Sequence, residues 1–121
     1  MSYVYLASPY SHPLEDIRIK RFNATAAAVG QMMEQYGQTI YSPIVHYHSV
    51  YPYLIGAPTT ADFWWPHNRN MLRHASFLRV LQLPGWQKSD GIKREINFAR
   101  KHLDLMIEYI WPDESIIELL A

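Results

Sequence analysis

The chain has 121 residues, no cysteine, and equal numbers of basic and acidic side chains, 11 of each. That length suits one domain around one core, and 49% hydrophobic with 18% charged residues is a globular composition, not a disordered or fibrous one. The missing cysteines exclude disulfides, thiolate metal sites and thiol nucleophiles, and net neutrality argues against broad binding to nucleic acid or membranes while leaving room for local basic patches.

No apolar run approaches the roughly 20 residues of a membrane helix. The opening MSYVYLASPY lacks the basic start and long apolar stretch of a signal peptide, so a cytoplasmic location is expected. Nine Tyr, four Trp and four Phe are more aromatic residues than a core this size obviously needs, and many fall between Tyr36 and Trp86.

Tyr3 to Ala7 is short, apolar and β-prone, and Ser8-Pro9-Tyr10-Ser11 stops it. Continuous apolarity predicts a central parallel strand. A helix is expected over Pro13–Tyr36, with Glu15 and Asp16 at its positive end and Gly37 as its stop. Phe22, Ala26, Val29, Met33 and Tyr36 form one face of it, widened by Ala24, Ala27 and Ala28. A second strand over Gln38–Ser42 ends at Pro43. Residues 43–60 are rich in Tyr, His and Pro and predict a long loop with at most one helical turn. Next come a helix from Thr60 or Ala61 to His74, with Thr60 or Asp62 as cap, and a strand over Phe77–Leu83. A helix opening at Ser89 follows, then a strand over Leu105–Ile110 and a short helix over Glu114–Leu120. This order predicts an α/β fold of three layers: a flavodoxin-like or Rossmann-like parallel sheet with helices on both faces and right-handed crossovers. Ligands bind such sheets at the C-terminal strand ends, near a topological switch point. Those ends are Ser8–Ser11, Ser42–His48 and Pro84–Ser89.

The most informative stretch is Leu83-Pro-Gly-Trp-Gln-Lys-Ser89-Asp-Gly91-Ile-Lys-Arg-Glu95. The Ser89 hydroxyl and Gly91 amide sit where a helix start offers free N–H groups; Ser89 is either an anion contact or a plain N-cap. Ile92, Ile96, Ala99 and Leu103 make the core stripe, and Glu95 lies beside it. Gly91, one turn earlier, leaves space above the carboxylate. Glu95 is then either a partly buried nucleophile or base or a surface residue paired with Lys88 or Arg94.

The strings Val-Tyr5-Leu-Ala-Ser8-Pro and Ser89-x-Gly91-x-x-x-Glu95-Ile-x-x-Ala99 resemble those of nucleoside 2-deoxyribosyltransferases and the related deoxynucleotide N-glycosidases. Leu-Pro-Gly-Trp86-x-x-Ser-x-Gly is similar to a short branch of that superfamily. In element order the resemblance covers nearly the whole chain; its motifs cover two short stretches. It implies cleavage of an N-glycosidic bond through a covalent deoxyribosyl-enzyme, without metal or organic cofactor. Glu95 matches the nucleophile, Tyr5 the tyrosine that orients it, and Ser89 a phosphate contact. Ser8, Tyr10, Ser11, His46, Trp86 and Gly91 are the further candidates around substrate. The chain also departs from the family pattern. Asn68 stands where relatives present an aspartate, leaving Asp62, two turns earlier, as the candidate acid. Ala75 and Ser76 replace another aspartate. Tyr10-Ser11-His12 replaces a phosphate-binding arginine, with Arg18 and Arg21 further along the helix.

The expected ligand is a small nucleoside or nucleotide rather than a polymer or membrane, bound by a homo-oligomer, dimer or tetramer. Two other readings compete. One is a nucleotide-binding module of this fold that lacks catalysis. The other is a metal hydrolase in which His46 and His48, on one side of an extended segment, join His67 or His74; no HExxH string accompanies them, and the histidines are otherwise polar loop groups. Trp64 and Trp65 are adjacent on a helix, so one of them is expected to point outward, toward a subunit contact.

Overall fold

The computed structural model describes residues 2–55 and 61–121. Its strands are β1 (Val4–Ala7), β2 (Ile40–Tyr41), β3 (Phe77–Leu81) and β4 (Ile107–Ile110). Its α-helices are α1 (Glu15–Tyr36), α2 (Pro43–Val50), α3 (Ala61–Arg73), α4 (Asp90–Phe98) and α5 (Glu114–Glu118). Single turns at Tyr51–Tyr53 and Trp86–Lys88 are 3-10, and α4 runs on as a π turn over Ala99–Leu103.

The four strands form one parallel sheet in the order β2-β1-β3-β4. β1 is flanked on both sides, so all four of its residues are buried, as unbroken apolarity requires of a central strand. Alternation along the strands divides the core. Tyr5, Ala7, Leu78 and Val80 pack with Leu72 of α3 and with Ile92 and Ala99 of α4 and its π turn. Leu6 and Leu81 pack on the other face with Ala24, Ala28 and Met32 of α1 and Ile116 of α5. The fold is therefore three-layer α/β with flavodoxin-like strand order, and the chain changes direction across the sheet between β1 and β3. None of the described helices is long and apolar enough to cross a membrane.

Two local expectations change. The buried stripe of α1 is Ala24, Thr25, Ala28 and Met32, while Met33 and Tyr36 are exposed. Small side chains win the contact because the helix lies close against the sheet; Phe22 stacks instead on His48, with ring centroids 4.0 Å apart. Residues 43–50 are a helix, not a loop. Ser42 caps it by accepting from the Val45 amide at 3.2 Å, and Pro43 takes the first turn, where a missing N–H costs nothing. In β3, Arg79 points into the α1 layer. It is satisfied by Glu108 at 3.0 Å and by Gln38 at 2.8 Å, as a buried cation must be. Thr60, the alternative cap of α3, and Gly56 lie outside the described residues.

The revised face of α1 has a direct check. Met32 is 4% exposed and Met33 is 54% exposed. Met32→Ala is expected to cost about 2–5 kcal/mol in urea unfolding, and Met33→Ala less than about 0.5 kcal/mol. Equal losses would restore the face predicted from sequence.

Candidate functional site

A cavity of about 800 Å³ opens at the switch point, above the C-terminal ends of β1 and β3. Three segments of the chain make its floor. The loop after β1 brings Ser8, Tyr10 and Ser11; the loop after β3 brings Gly85, Lys88 and Ser89; α4 brings Gly91, Arg94 and Glu95. The first turns of α1 and α2, and Trp64, Trp65 and Asn68 of α3, make its walls.

Glu95 is the chemical centre. It is 7% exposed, and its Oε2 accepts a hydrogen bond from the hydroxyl of Tyr5, which is fully buried. The partners are 90 residues apart in sequence, one on the central strand and one on the helix that crosses over β3. Burial pushes the Glu95 carboxyl up to about 7, against a smaller downward pull from the Tyr5 hydroxyl. Burial, reinforced by the nearby Glu95 charge, raises the Tyr5 hydroxyl well above the ordinary tyrosine value and raises Tyr41 in the same direction. The Tyr41 ring lies 5.7 Å from that of Tyr5. Neither Lys88 nor Arg94 pairs with Glu95: the nearest carboxylate to Arg94 is Asp62, at 3.6 Å. The surface-glutamate alternative is thereby replaced by a buried carboxylate bonded to tyrosine.

Local signals explain how α4 presents it. Gly85 adopts φ +90°, and a Cβ there would stand 3.0 Å from Arg21 Nη2. Glycine is needed both for the turn and for the approach of the guanidinium. Ser89 caps α4 by accepting from the Ile92 amide at 3.2 Å and also lines the cavity. A Cβ on Gly91 would meet only Ser89 Oγ, at 3.8 Å, so the space beside Glu95 is open.

The first loop is held from α1 and α2. Thr25 donates to Ser8 at 3.2 Å, and Tyr10 shares a hydrogen bond of 2.9 Å with His48. Arg21 donates to the Ser11 carbonyl at 2.9 Å, and Arg18 to that of His12. Both guanidinium groups line the cavity, so cations reach the first loop from the helix behind it.

Some expected site residues stand elsewhere. Asp62 is 89% exposed in its side chain and paired with Arg94, outside the cavity lining; six residues before Asn68 on α3, it is rotated about 120° from that wall residue. His46 faces away as well, stacked on His67 with centroids 5.1 Å apart. Because residues 43–50 are helical, His46 and His48 point about 200° apart and do not share one side; His48 turns to Tyr10. Among the described residues no three His, Asp or Glu side chains come together as metal ligands. Trp86 packs on Tyr109 at 5.7 Å and borders a separate small groove. Trp64 and Trp65 are both half-buried and both line the cavity, so neither is given over wholly to an outward face. Tyr47 and Tyr51, of the aromatic cluster that the sequence places at a pocket or a subunit contact, line the cavity, and Arg94 and Thr25 join the site without having been singled out for it; the N-cap signature at Ser42-Pro43 is the signal that would have placed Tyr47 on a helix.

The model of a family described as Domain of unknown function (DUF1937) matches residues 2–110, and the chain belongs to that family. No curated protein matches the chain.

The buried carboxylate predicts a pH signature. Below its ordinary value of 4.5 Glu95 is protonated whether the chain is folded or unfolded, and burial costs little. Between there and about 7 the unfolded chain ionises first, so stability falls as pH rises by up to about 1.4 kcal/mol per unit. Glu95→Gln removes this loss. By urea unfolding the variant should exceed the parent by on the order of 3 kcal/mol at pH 8, the gap closing toward pH 4. A gap that stays constant with pH would show that Glu95 ionises no less readily in the fold than outside it.

Proposed function

We propose that this member of the family cleaves the N-glycosidic bond of a deoxynucleoside or its 5′-monophosphate, with Glu95 as nucleophile. The observation that carries the reading is the Tyr5–Glu95 hydrogen bond at the floor of the switch-point cavity. It agrees with the resemblance to 2-deoxyribosyltransferases and deoxynucleotide N-glycosidases.

The chemistry follows from the two carboxylate oxygens. Tyr5 occupies Oε2, which fixes the rotamer and leaves Oε1 for the anomeric carbon. As the C1′–N bond breaks, its electron pair leaves with the base, and positive charge develops on the sugar. Glu95 stabilises that charge and then bonds to C1′. Water or a second base attacks C1′ in turn and returns Glu95 to its carboxylate form. Asn68, on the wall, can donate a hydrogen bond to the departing base. Arg18, Arg21 and Lys88 line the same cavity and suit a phosphate, with Ser89 and the Gly91 amide at the start of α4. These cations favour the nucleotide over the nucleoside.

A binding module without catalysis is the second reading, favoured by the position of Asp62 outside the cavity. Chromatography of free base, from a panel of deoxynucleosides and their 5′-monophosphates, separates the two. An enzyme releases base from at least one member, and Glu95→Ala lowers the rate by about 10³-fold or more with affinity nearly intact. Binding of a member without release of its base would leave only the module.

Two further outcomes follow for the enzyme. Activity should rise with pH along a limb centred near 7, where Glu95 ionises. Tyr5→Phe removes a donor that favours the carboxylate, so the limb should move to higher pH; a limb that moves down or stays fixed contradicts the role given to Tyr5. Arg21→Ala should raise KM for monophosphates by about tenfold and leave nucleosides unaffected, which steady-state kinetics on the two substrate classes would read.

A further inference from the structure

Net neutrality conceals a segregation of charge. Between residues 61 and 102 basic side chains outnumber acidic ones eight to three, and beyond Leu103 every charged side chain is acidic. The basic part folds into α3 and α4, which lie side by side on one layer of the domain.

Their outer seam has a repeating order. Trp65, Arg69 and Arg73 are spaced by four on α3; Arg94, Phe98 and His102 are spaced by four on α4 and its π turn, so each set forms a stripe. The stripes interlock. The Arg94 guanidinium lies 4.6 Å over the Trp65 ring. Trp65 meets Phe98 edge-on at 5.6 Å. The Arg73 guanidinium lies 5.7 Å over Phe98, and His102 stands 5.1 Å from the same ring. Arg69, Arg73, Lys101 and His102 are exposed, and among the described residues none of Arg69, Arg73 and Lys101 has a carboxylate partner. Trp65 and Arg94 belong to the cavity lining as well, so the seam begins at the cavity mouth and runs outward for about 12 Å.

We propose that this seam holds a single nucleic-acid strand leading out of the cavity. Exposed cations beside aromatic rings are the combination that tracks phosphates and stacks bases on single strands; here Arg73 is without a carboxylate partner and Arg94 is shared with Asp62, and guanidinium planes supply further stacking surface. The length fits the phosphates of about three consecutive nucleotides. The polymer excluded by global neutrality is thus admitted by local charge. The proposal rests on the nucleotide reading of the cavity only for the end of the strand that enters it.

Fluorescence anisotropy with a labelled oligothymidylate of about eight residues, compared with thymidine 5′-monophosphate as competitor, provides the test. The oligomer should bind about tenfold more tightly or better, and log K should fall against log salt with a slope of about −2. Arg73→Glu should weaken the oligomer about tenfold and reduce the slope by about 1, with thymidine 5′-monophosphate binding unchanged. Arg69→Glu and Lys101→Glu, each at an exposed position, repeat the measurement on independent variants. Oligomer binding no tighter than that of the mononucleotide, or variants that bind as the parent does, would overturn the proposal. So would a sedimentation shift showing that Arg73→Glu splits a dimer, because the acidic C-terminal part of a second copy then covers the seam. Oligomer binding that depends on Arg73 without any mononucleotide binding would retain the seam and remove the nucleotide reading of the cavity. Base release from mononucleotides without oligomer binding would remove the seam alone.

Discussion

The hydrogen bond from Tyr5 to Glu95 joins the middle of the sheet to the helix above it, and the arrangement of the site depends on it. A carboxylate out of water is costly, and one hydrogen bond to a charged acceptor returns only about 1.5–3 kcal/mol. The bond therefore orients Glu95 without making its ionisation easy, and burial outweighs the tyrosine in setting the carboxyl near 7. The remaining cost must be met by the apolar packing beneath, where Leu72, Leu78, Val80, Ile92 and Ala99 surround the Tyr5 side chain. β1 is paired on both sides, and the Tyr5 side chain is completely buried there while its hydroxyl meets Glu95 of α4.

What the sequence revealed and what it concealed divide along a physical line. The features of α4 are local. A serine N-cap, an apolar stripe with helical spacing and a glycine one turn before a glutamate are read within a dozen residues, and each stands where the spacing puts it. The parallel sheet, its two helical faces and the ligand position at the C-terminal strand ends followed from the alternation of elements and the crossover rule; the strand order itself is seen only in the pairing of the folded strands. The errors arose where a neighbour decides. Phe22, Met33 and Tyr36 outscore Ala24, Ala28 and Met32 in apolar bulk, yet the close approach of α1 to the sheet selects the small residues, and Thr25 earns its buried place by holding Ser8. Ser42-Pro43 carried a helix signature that the surrounding Tyr, His and Pro obscured, and with it went the true directions of His46 and His48. Asp62 was the right residue type near the right helix, but the face it occupies is set by the rotation of α3 against α4, through Trp65, Phe98 and Arg94. No spacing along one helix contains that rotation.

The aromatic surplus has a similar explanation. Tyr5 holds the carboxylate and Tyr41 packs against Tyr5, Tyr10 and Tyr47 with Trp64 wall the cavity, and Trp65 opens the seam. A cavity of this size in a short chain leaves few residues to surround it. Large rigid rings enclose it with little conformational entropy to lose, and their hydroxyl edges can bond the loop that carries Ser8 and Ser11. The histidines fit the same pattern: His48 and His67 each pair with a tyrosine hydroxyl, at 2.9 and 3.0 Å, and burial lowers both imidazoles from their ordinary value, favouring neutral rings.

A poorly solvated carboxylate is also suited to one kind of reaction. Burial pushes the Glu95 carboxyl up to about 7, and among the described residues no cation is paired with it. In the glycosidic cleavage proposed for this site, an oxocarbenium-like transition state would bring its own positive charge to within bonding reach. At about 4 Å and an effective dielectric constant near 20 that attraction is on the order of 4 kcal/mol, and it is absent from the neutral sugar that precedes it. The interaction is therefore stronger in the transition state than in the ground state, which is the condition for raising kcat rather than merely tightening binding. The same burial makes the ionised domain less stable above neutral pH. Stability and the proposed nucleophilicity are opposed through a single proton: stability is lost between 4.5 and about 7, as the unfolded chain ionises, and the folded carboxylate is gained at the upper end of that window.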